Sequence, residues 1–469
     1  MRRPLLIAGV ALAALFGGGW ALNERFPVGD VAAVFTGGSA KMLCTDVFVA
    51  GRDEALAYEQ DFRRISSPGK YLGIVRPKID YDEKTVSADL WGLKKRTAVY
   101  REGIGCTAAE GASVAELRAQ GQGVATALPP PDPARVWPQG DAVAPLPEGV
   151  DGARLTKAID DVFAENDPEK PLNTRGVVIV HDGRIIAERY AKGFTKDTGH
   201  LSNSVAKSVT ATLIGILVGQ GKLDLDAPAP IAEWRGKGDP RGAITLDHLM
   251  RMSSGLEFEE SYSKLKSDIT MQYIGGDLAG YAAAKPLVEA PGTEWRYSTG
   301  TSNILGRIVR ETAGPDYPTA FAFPRKALFE PLGMRTAVLE PDAAGNFIGG
   351  SSFYASARDY ARLGLLYLND GVWEGRRILP EGWVEYVRTP TPGSEGRYGA
   401  QFWLNRNKDA RLPPDVFMMN GHQGQHVIIV PSRNLVVVRV GLSEFDNWKS
   451  AAFVNDVLAA LPASAGDET

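Results

Sequence analysis

Cysteine and histidine are scarce in this chain, and neither sign of charge dominates. Two cysteines, Cys44 and Cys106, and five histidines are spread over 469 residues. Lysine and arginine number 52 against 56 acidic residues, a formal net charge of −4. That balance gives no basic surface for nucleic acid, and no nucleic-acid partner is expected. A Gly-x-Ser-x-Gly elbow is missing, which removes the α/β-hydrolase solution. Neither a phosphate loop nor a dinucleotide fingerprint is present, and no cofactor is expected. His181, His200 and His248 are scattered. His422 and His426 are four apart, but Gly424 and the β-branched run after it read as strand, where four residues span about 13 Å. They would not share one ion, and no metal site is expected.

The chain divides by composition. Arg2 and Arg3 precede an uncharged run from Leu5 to Leu22, followed by Asn23-Glu24-Arg25. Residues 1–25 read as an export signal: a cleavable peptide, with Gly19-Trp20-Ala21 offering small residues at the cut, or a retained membrane anchor. Both readings stay open, and both take the rest of the chain to the periplasm or beyond. Residues 31–127 form a small first unit of unassigned role, helix-like over Asp53 to Arg63 and strand-like over Tyr71 to Val75 and Thr85 to Leu90. Both cysteines fall in it, and in an oxidising compartment one bridge is the natural pairing, the alternative being two buried free thiols. Residues 128–149, with Pro129-Pro130-Pro131-Asp132-Pro133, have the composition of an extended spacer. Residues 150–462 form the larger unit. In it His181-Asp182-Gly183 joins two strands as a hairpin signal, and Val427 to Val430 and Leu435 to Gly441 flank a turn at Pro431 to Asn434. A mixed α/β (α+β) fold follows, with an antiparallel sheet, a helix over Ala451 to Leu461 against it, and a helix- and loop-rich insert from Leu223 to Gly349.

Chemistry is concentrated at Ser204-Val205-Ala206-Lys207. The pattern Ser-x-x-Lys occurs four times. Ser67 to Lys70 encloses Pro68 and Gly69 and is no helical turn. Ser261 to Lys264 and Ser263 to Lys266 lie in a polar run without an apolar stripe. Only Ser204 and Lys207 open an apolar helix, with Leu213, Ile214, Ile216 and Leu217 behind them. Residues three apart share a helix face, and a lysine desolvated beside the positive helix end loses its proton readily. A neutral amine next to a hydroxyl is an activated nucleophile. The plain alternative is an N-cap serine with an exposed lysine.

Two further segments follow in order: Trp295-Arg296-Tyr297-Ser298-Thr299 before a helix over Ile304 to Thr312, and Asn420-Gly421-His422-Gln423-Gly424-Gln425-His426 before a strand. With Ser204 to Lys207 they resemble the three motifs of the serine β-lactamase and penicillin-binding-protein superfamily. The likeness is to the class C branch, which includes family VIII esterases and 6-aminohexanoate-dimer hydrolases, and it covers roughly Leu172 to Leu461. The resemblance implies a β-lactamase-like fold with an inserted helical domain. It also implies an acyl-enzyme on Ser204, general-base work shared by Lys207 and Tyr297, and an oxyanion hole from the backbone N–H groups of Ser204 and Gln425. His422 and Gly424 would bind substrate. Tyr262 is the candidate for the loop tyrosine that contacts the scissile amide in the dimer hydrolases, the other reading being a solvent-facing side chain.

Departures from the pattern bear on the substrate. His422 stands where the family has a lysine that holds a carboxylate, and Tyr297-Ser298-Thr299 lacks the family's asparagine. The expected activity is hydrolysis of small esters or amides, or of ω-amino acid oligomers, rather than of β-lactam antibiotics. The competing class is a penicillin-recognising or cell-wall-binding module with slow turnover or none.

Overall fold

The structure, a computed structural model, describes residues 28–63, 75, 77–124, 130–261, 267–268, 270–405, 411–444 and 447–463. The apolar amino-terminal run, Ser67 with Lys70, and Tyr262, Ser263, Lys264 and Lys266 lie outside the described residues.

The first unit is built on one helix, α1 (Val28–Phe48). It lies across an antiparallel sheet of β1 (Lys78–Asp80), β2 (Thr85–Leu90), β3 (Leu93–Arg101) and β4 (Gly105–Ala108), in that spatial order. Alternation sets the faces: Val86 and Ala88 of β2 point inward and join Ala40, Leu43 and Cys44 of α1 in one apolar cluster. Cys44 and Cys106 form a disulfide from α1 to β4, with Cα atoms 6.1 Å apart and 62 residues of separation. Closing a loop of that length in the unfolded chain is worth about 4 kcal/mol by the chain-entropy argument.

The larger unit carries α2 (Gly152–Phe163), the hairpin β5 (Thr174–His181) and β6 (Arg184–Tyr190), α3 (Val205–Gly219), α4 (Thr299–Ala313), α5 (Ala357–Leu368), β7 (Trp403–Leu404), β8 (Phe417–Gly421), β9 (Gln425–Val430), β10 (Leu435–Gly441) and α6 (Ser450–Leu458). Its six-stranded antiparallel sheet has the order β7-β8-β9-β10-β5-β6. Asp182 and Gly183 both take positive φ, 47° and 73°, as a two-residue type I′ hairpin turn requires. The strands are apolar on both faces because both are covered. Val177, Ile179, Ile428 and Val437 pack with α2 and α6, while Val178, Val180, Val427, Val436 and Val438 join the core of α3 and α5. Gly364 of α5 has no side chain because Val427 and Val436 fill the space where one would stand.

α3 is buried along most of its length and so is apolar nearly all round. Its polar residues are satisfied inside: the Ser208 hydroxyl donates to Gln401 O at 2.6 Å, Thr210 to Gly349 O at 3.0 Å, and Thr212 lies 2.8 Å from the Tyr367 hydroxyl.

The proline-rich stretch is not a spacer. Trp137 is 1% exposed within the main core, with the Arg362 guanidinium 5.5 Å from its ring and Arg362 Nε donating to Pro138 O at 3.1 Å. A buried tryptophan among prolines fixes the stretch to the larger unit, because the apolar area it hides far outweighs a preference for extended chain. The two units are also in direct contact. Lys41 of α1 forms a buried ion pair with Glu340, which accepts a further bond from Cys106 N at 2.6 Å. Asp61 accepts from both Arg52 and Arg175, and both guanidiniums stand 4.9 Å from the Phe194 ring.

Removing one partner of a buried ion pair leaves an uncompensated charge, typically at about 3–5 kcal/mol. Lys41→Met is therefore expected to destabilise the protein by about that amount, and Lys41→Met with Glu340→Gln to recover most of it. Denaturant titrations of the three proteins check this; a double variant no more stable than the single one would exclude a tightly coupled pair.

Candidate active site

The site is assembled where α3 begins. Asn203 takes a left-handed backbone, φ 46°, which asparagine tolerates better than most residues, and its Nδ2 donates to His422 O at 3.0 Å. Ser204 follows at the helix entrance, and Lys207 sits one turn on, 1% exposed. Lys207 Nζ lies 3.0 Å from Ser204 Oγ, 3.1 Å from Thr299 Oγ1 and 2.8 Å from Gly350 O.

The directions of these bonds are set by their neighbours. Thr299 Oγ1 donates its proton to Glu260 Oε1 at 2.6 Å, so toward Lys207 it accepts. Gly350 O accepts by nature, and Gly350 N is held by Asn303 Oδ1 at 3.1 Å. Two lysine N–H bonds are thus committed. The third tetrahedral position points at Ser204 Oγ: a donor in the ammonium, a lone pair in the neutral amine. Burial pulls the Lys207 pKa down to about 8, against the Glu260 carboxylate, which acts in the opposite sense.

Tyr297 stands on the cleft side, its ring centroid 5.1 Å from Lys207 Nζ. Aromatic neighbours orient it: Trp403 at 5.3 Å and Tyr398 at 5.7 Å, the latter edge-on. Ser204, Tyr297, Glu260, Trp403, Asn420, His422, Gly424, Glu444 and Trp448 line a cleft of about 510 Å³. A smaller cavity of about 60 Å³ is also lined by Ser204, and its walls include Gln272, Thr299, Tyr354 and, from α1, Lys41 and Met42.

The third motif differs in form from the strand read in the sequence. His422 to Gly424 make the turn between β8 and β9, with Gln423 at φ 63° and Gly424 at φ 80°, and the strand starts at Gln425. Gly424 is glycine for that φ and because Arg439 fills the space beneath it. Arg439 is fully buried and donates to Gln423 O at 3.2 Å, Gly424 O at 3.0 Å and Leu172 O at 2.6 Å, which pins the turn from below. Gln425 pairs with Gly421 in register, and its side chain clasps the Gly441 backbone. The backbone of Gly421 packs against Ser202 O, which brings this turn against the entrance of α3. Burial pulls His422 down to about 4 and His426 to about 3, so both imidazoles are neutral at pH 7.

Several contributors carry no local sequence signal. Glu260, Gly350, Lys41, and Arg439 with Glu444 come from four separate segments. Thr299 was visible only as a missing asparagine, whereas in the fold it is the hydroxyl between Lys207 and Glu260. Tyr262 lies outside the described residues.

With Lys207 as the base, a pKa near 8 predicts a kcat/KM on a neutral ester that rises with pH through that region, since the free amine would be the form that accepts the serine proton. Glu260 favours the ammonium, so Glu260→Gln is expected to move the midpoint to lower pH. A normalised profile from pH 6 to 10 checks the sign; an unchanged or higher midpoint would show that Lys207 does not control the limb.

Known proteins match this chain over the larger unit. The β-lactamase family profile covers residues 166–452. A 6-aminohexanoate-dimer hydrolase of Paenarthrobacter ureafaciens is 26% identical over 292 residues, 57% of this chain and 72% of the relative. Esterase EstB of Burkholderia gladioli is 29% identical over 215 residues, 41% of this chain and 53% of the esterase. Among solved structures, a class C β-lactamase superposes with a TM-score of 0.52 at 16% identity, over 68% of this chain and 99% of that one, a likeness of fold.

Proposed function

The chain belongs to the β-lactamase family, a family of serine hydrolases, and on that premise we propose that it is an exported enzyme cleaving small esters or amides through an acyl-enzyme on Ser204. The observation that carries this reading is the bonding of Lys207, whose two committed N–H bonds turn the remaining position of a neutral amine toward Ser204 Oγ.

In this mechanism the Lys207 amine takes the Ser204 proton as Oγ attacks the carbonyl carbon. Negative charge gathers on the carbonyl oxygen, where the N–H groups of Ser204 and Gln425 donate to it. As the tetrahedral intermediate collapses, the Tyr297 hydroxyl passes a proton to the departing alcohol or amine and is reprotonated by the Lys207 ammonium, which returns the lysine to its free amine. Tyr297 is suited to this by its place on the cleft wall and by the adjacent lysine, which in its cationic form favours the phenolate. Water then attacks the acyl-enzyme with the same base and releases the carboxylic acid.

Charge in the cleft supports a substrate without a carboxylate. Among the described residues its wall holds Glu260 and Glu444, the neutral His422 and His426, and no lysine or arginine beyond Lys207 behind Ser204. Glu444 Oε1 is buried without a hydrogen-bond partner among the described residues. A neutral or amine-bearing ester or amide fits this wall, and a carboxylate would meet like charge there. Export is supported by the Cys44–Cys106 disulfide, which persists in an oxidising compartment.

Ser204→Ala is expected to abolish hydrolysis and labelling by a fluorophosphonate while the protein stays folded, and Ser261→Ala to retain near-normal activity. Undiminished turnover in Ser204→Ala would end the reading. With matched substrates ending in an ammonium, a neutral group or a carboxylate, kcat/KM should be lowest for the carboxylate, and His422→Lys should raise the carboxylate substrate relative to the neutral one. A wild-type preference for the carboxylate would exclude this view of the cleft.

A further inference from the structure

The first unit carries a feature that its own folding does not require. β2 and β3 are joined by Trp91-Gly92, both at positive φ, 52° and 81°, with Leu90 paired to Leu93 across the turn. A two-residue turn of this kind is made well by Asn-Gly or Gly-Gly. A tryptophan there is a rare and strained choice, because a bulky side chain at positive φ crowds its own backbone. Trp91 is also 75% exposed and Leu93 53% exposed, so neither contributes a core contact in return. Lys94 and Lys95, both exposed, follow at once. An aromatic and an aliphatic tip backed by two lysines is the composition of a segment that sits at the boundary between water and lipid.

The tip's position within the chain identifies its partner. Lys94 Cε stands 3.2 Å from the place a side chain would take at Gly29, the second residue of α1. Gly29 is seven residues beyond Leu22, where the uncharged run ends, and seven residues of fully extended chain reach at most about 25 Å. The described chain therefore begins beside the hairpin, and the apolar run ends within a short tether of it.

We propose that the β2–β3 tip is a membrane-interface contact, with Trp91 and Leu93 entering the headgroup region of a bilayer and Lys94 and Lys95 facing anionic phospholipid. The contact is a second attachment next to the amino-terminal segment, and it fixes the orientation of the protein on the surface. Among the described residues Asp30 in the first turn of α1 and Asp89 at the end of β2 are acids near the tip, and one oxygen of Asp89 accepts from Gly92 N. None of this depends on the role of Ser204.

The test uses the full chain with vesicles of phosphatidylcholine, of phosphatidylcholine with phosphatidylglycerol, and of the same mixture with brominated acyl chains. The contribution of Trp91 is the fluorescence difference between the wild type and Trp91→Ala, which cancels the other tryptophans. Quenching of that difference by brominated lipid, with at least a several-fold loss of vesicle association in Lys94→Glu/Lys95→Glu, is the expected result. Trp91→Ala should hydrolyse a soluble ester at the wild-type rate and melt no lower than the wild type, which excludes misfolding as the cause. The proposal is overturned if the Trp91 signal is equal in brominated and ordinary lipid, if the charge-reversed variant binds as well as the wild type, or if the signal changes only with protein concentration, which would mark a contact between copies of the chain.

Discussion

The site depends on the burial of one amine. Lys207 is enclosed by α3, α4 and the Gly349-Gly350 segment, and each of its bonding directions is used by a group that those elements deliver. Desolvation lowers its pKa to about 8, and the Glu260 carboxylate, acting through space and through the Thr299 hydroxyl, keeps it from falling further. The balance of the two places the lysine within reach of both protonation states near neutral pH. The aromatic group around Tyr297 and the Arg439-pinned turn at His422 are supports of the same arrangement: they fix what surrounds a lysine that is itself fixed.

Much of the fold was legible because it rests on short-range rules. The β5–β6 hairpin announced itself through Asp182-Gly183, and the apolar strands β9 and β10 through their length and β-branched content. α3 was readable as buried from the run behind Lys207. Ser204, Lys207 and Tyr297 were found by motif, and the fold brings them together. The remaining site residues were hidden for a physical reason: a chain of bonds from Glu260 to Thr299 to Lys207 joins segments about 40 to 90 residues apart, and no local spacing encodes it. Motif comparison also has a blind side. It reported Thr299 as an absence, when a hydroxyl at that place serves as an acceptor for the lysine and a donor to the acid.

The proline-rich stretch is the plainest disagreement between composition and structure. Composition describes what a segment prefers when nothing else touches it, and Trp137 with Arg362 outweighs that preference. Val136 to Ala142 closes into a tight local structure against the larger unit, where an extended tether had been expected.

That tight closure, with the Lys41–Glu340 pair, makes the catalytic half non-portable. An excised fragment beginning near residue 150 would leave Glu340 without Lys41, an apolar bed stripped of Trp137, and Ser204 with one wall of its smaller cavity gone. The two units are better regarded as a fused pair of subunits whose interface closes one side of the smaller cavity at Ser204. Trimming or swapping the amino-terminal half is then a change of enzyme rather than the removal of an appendage.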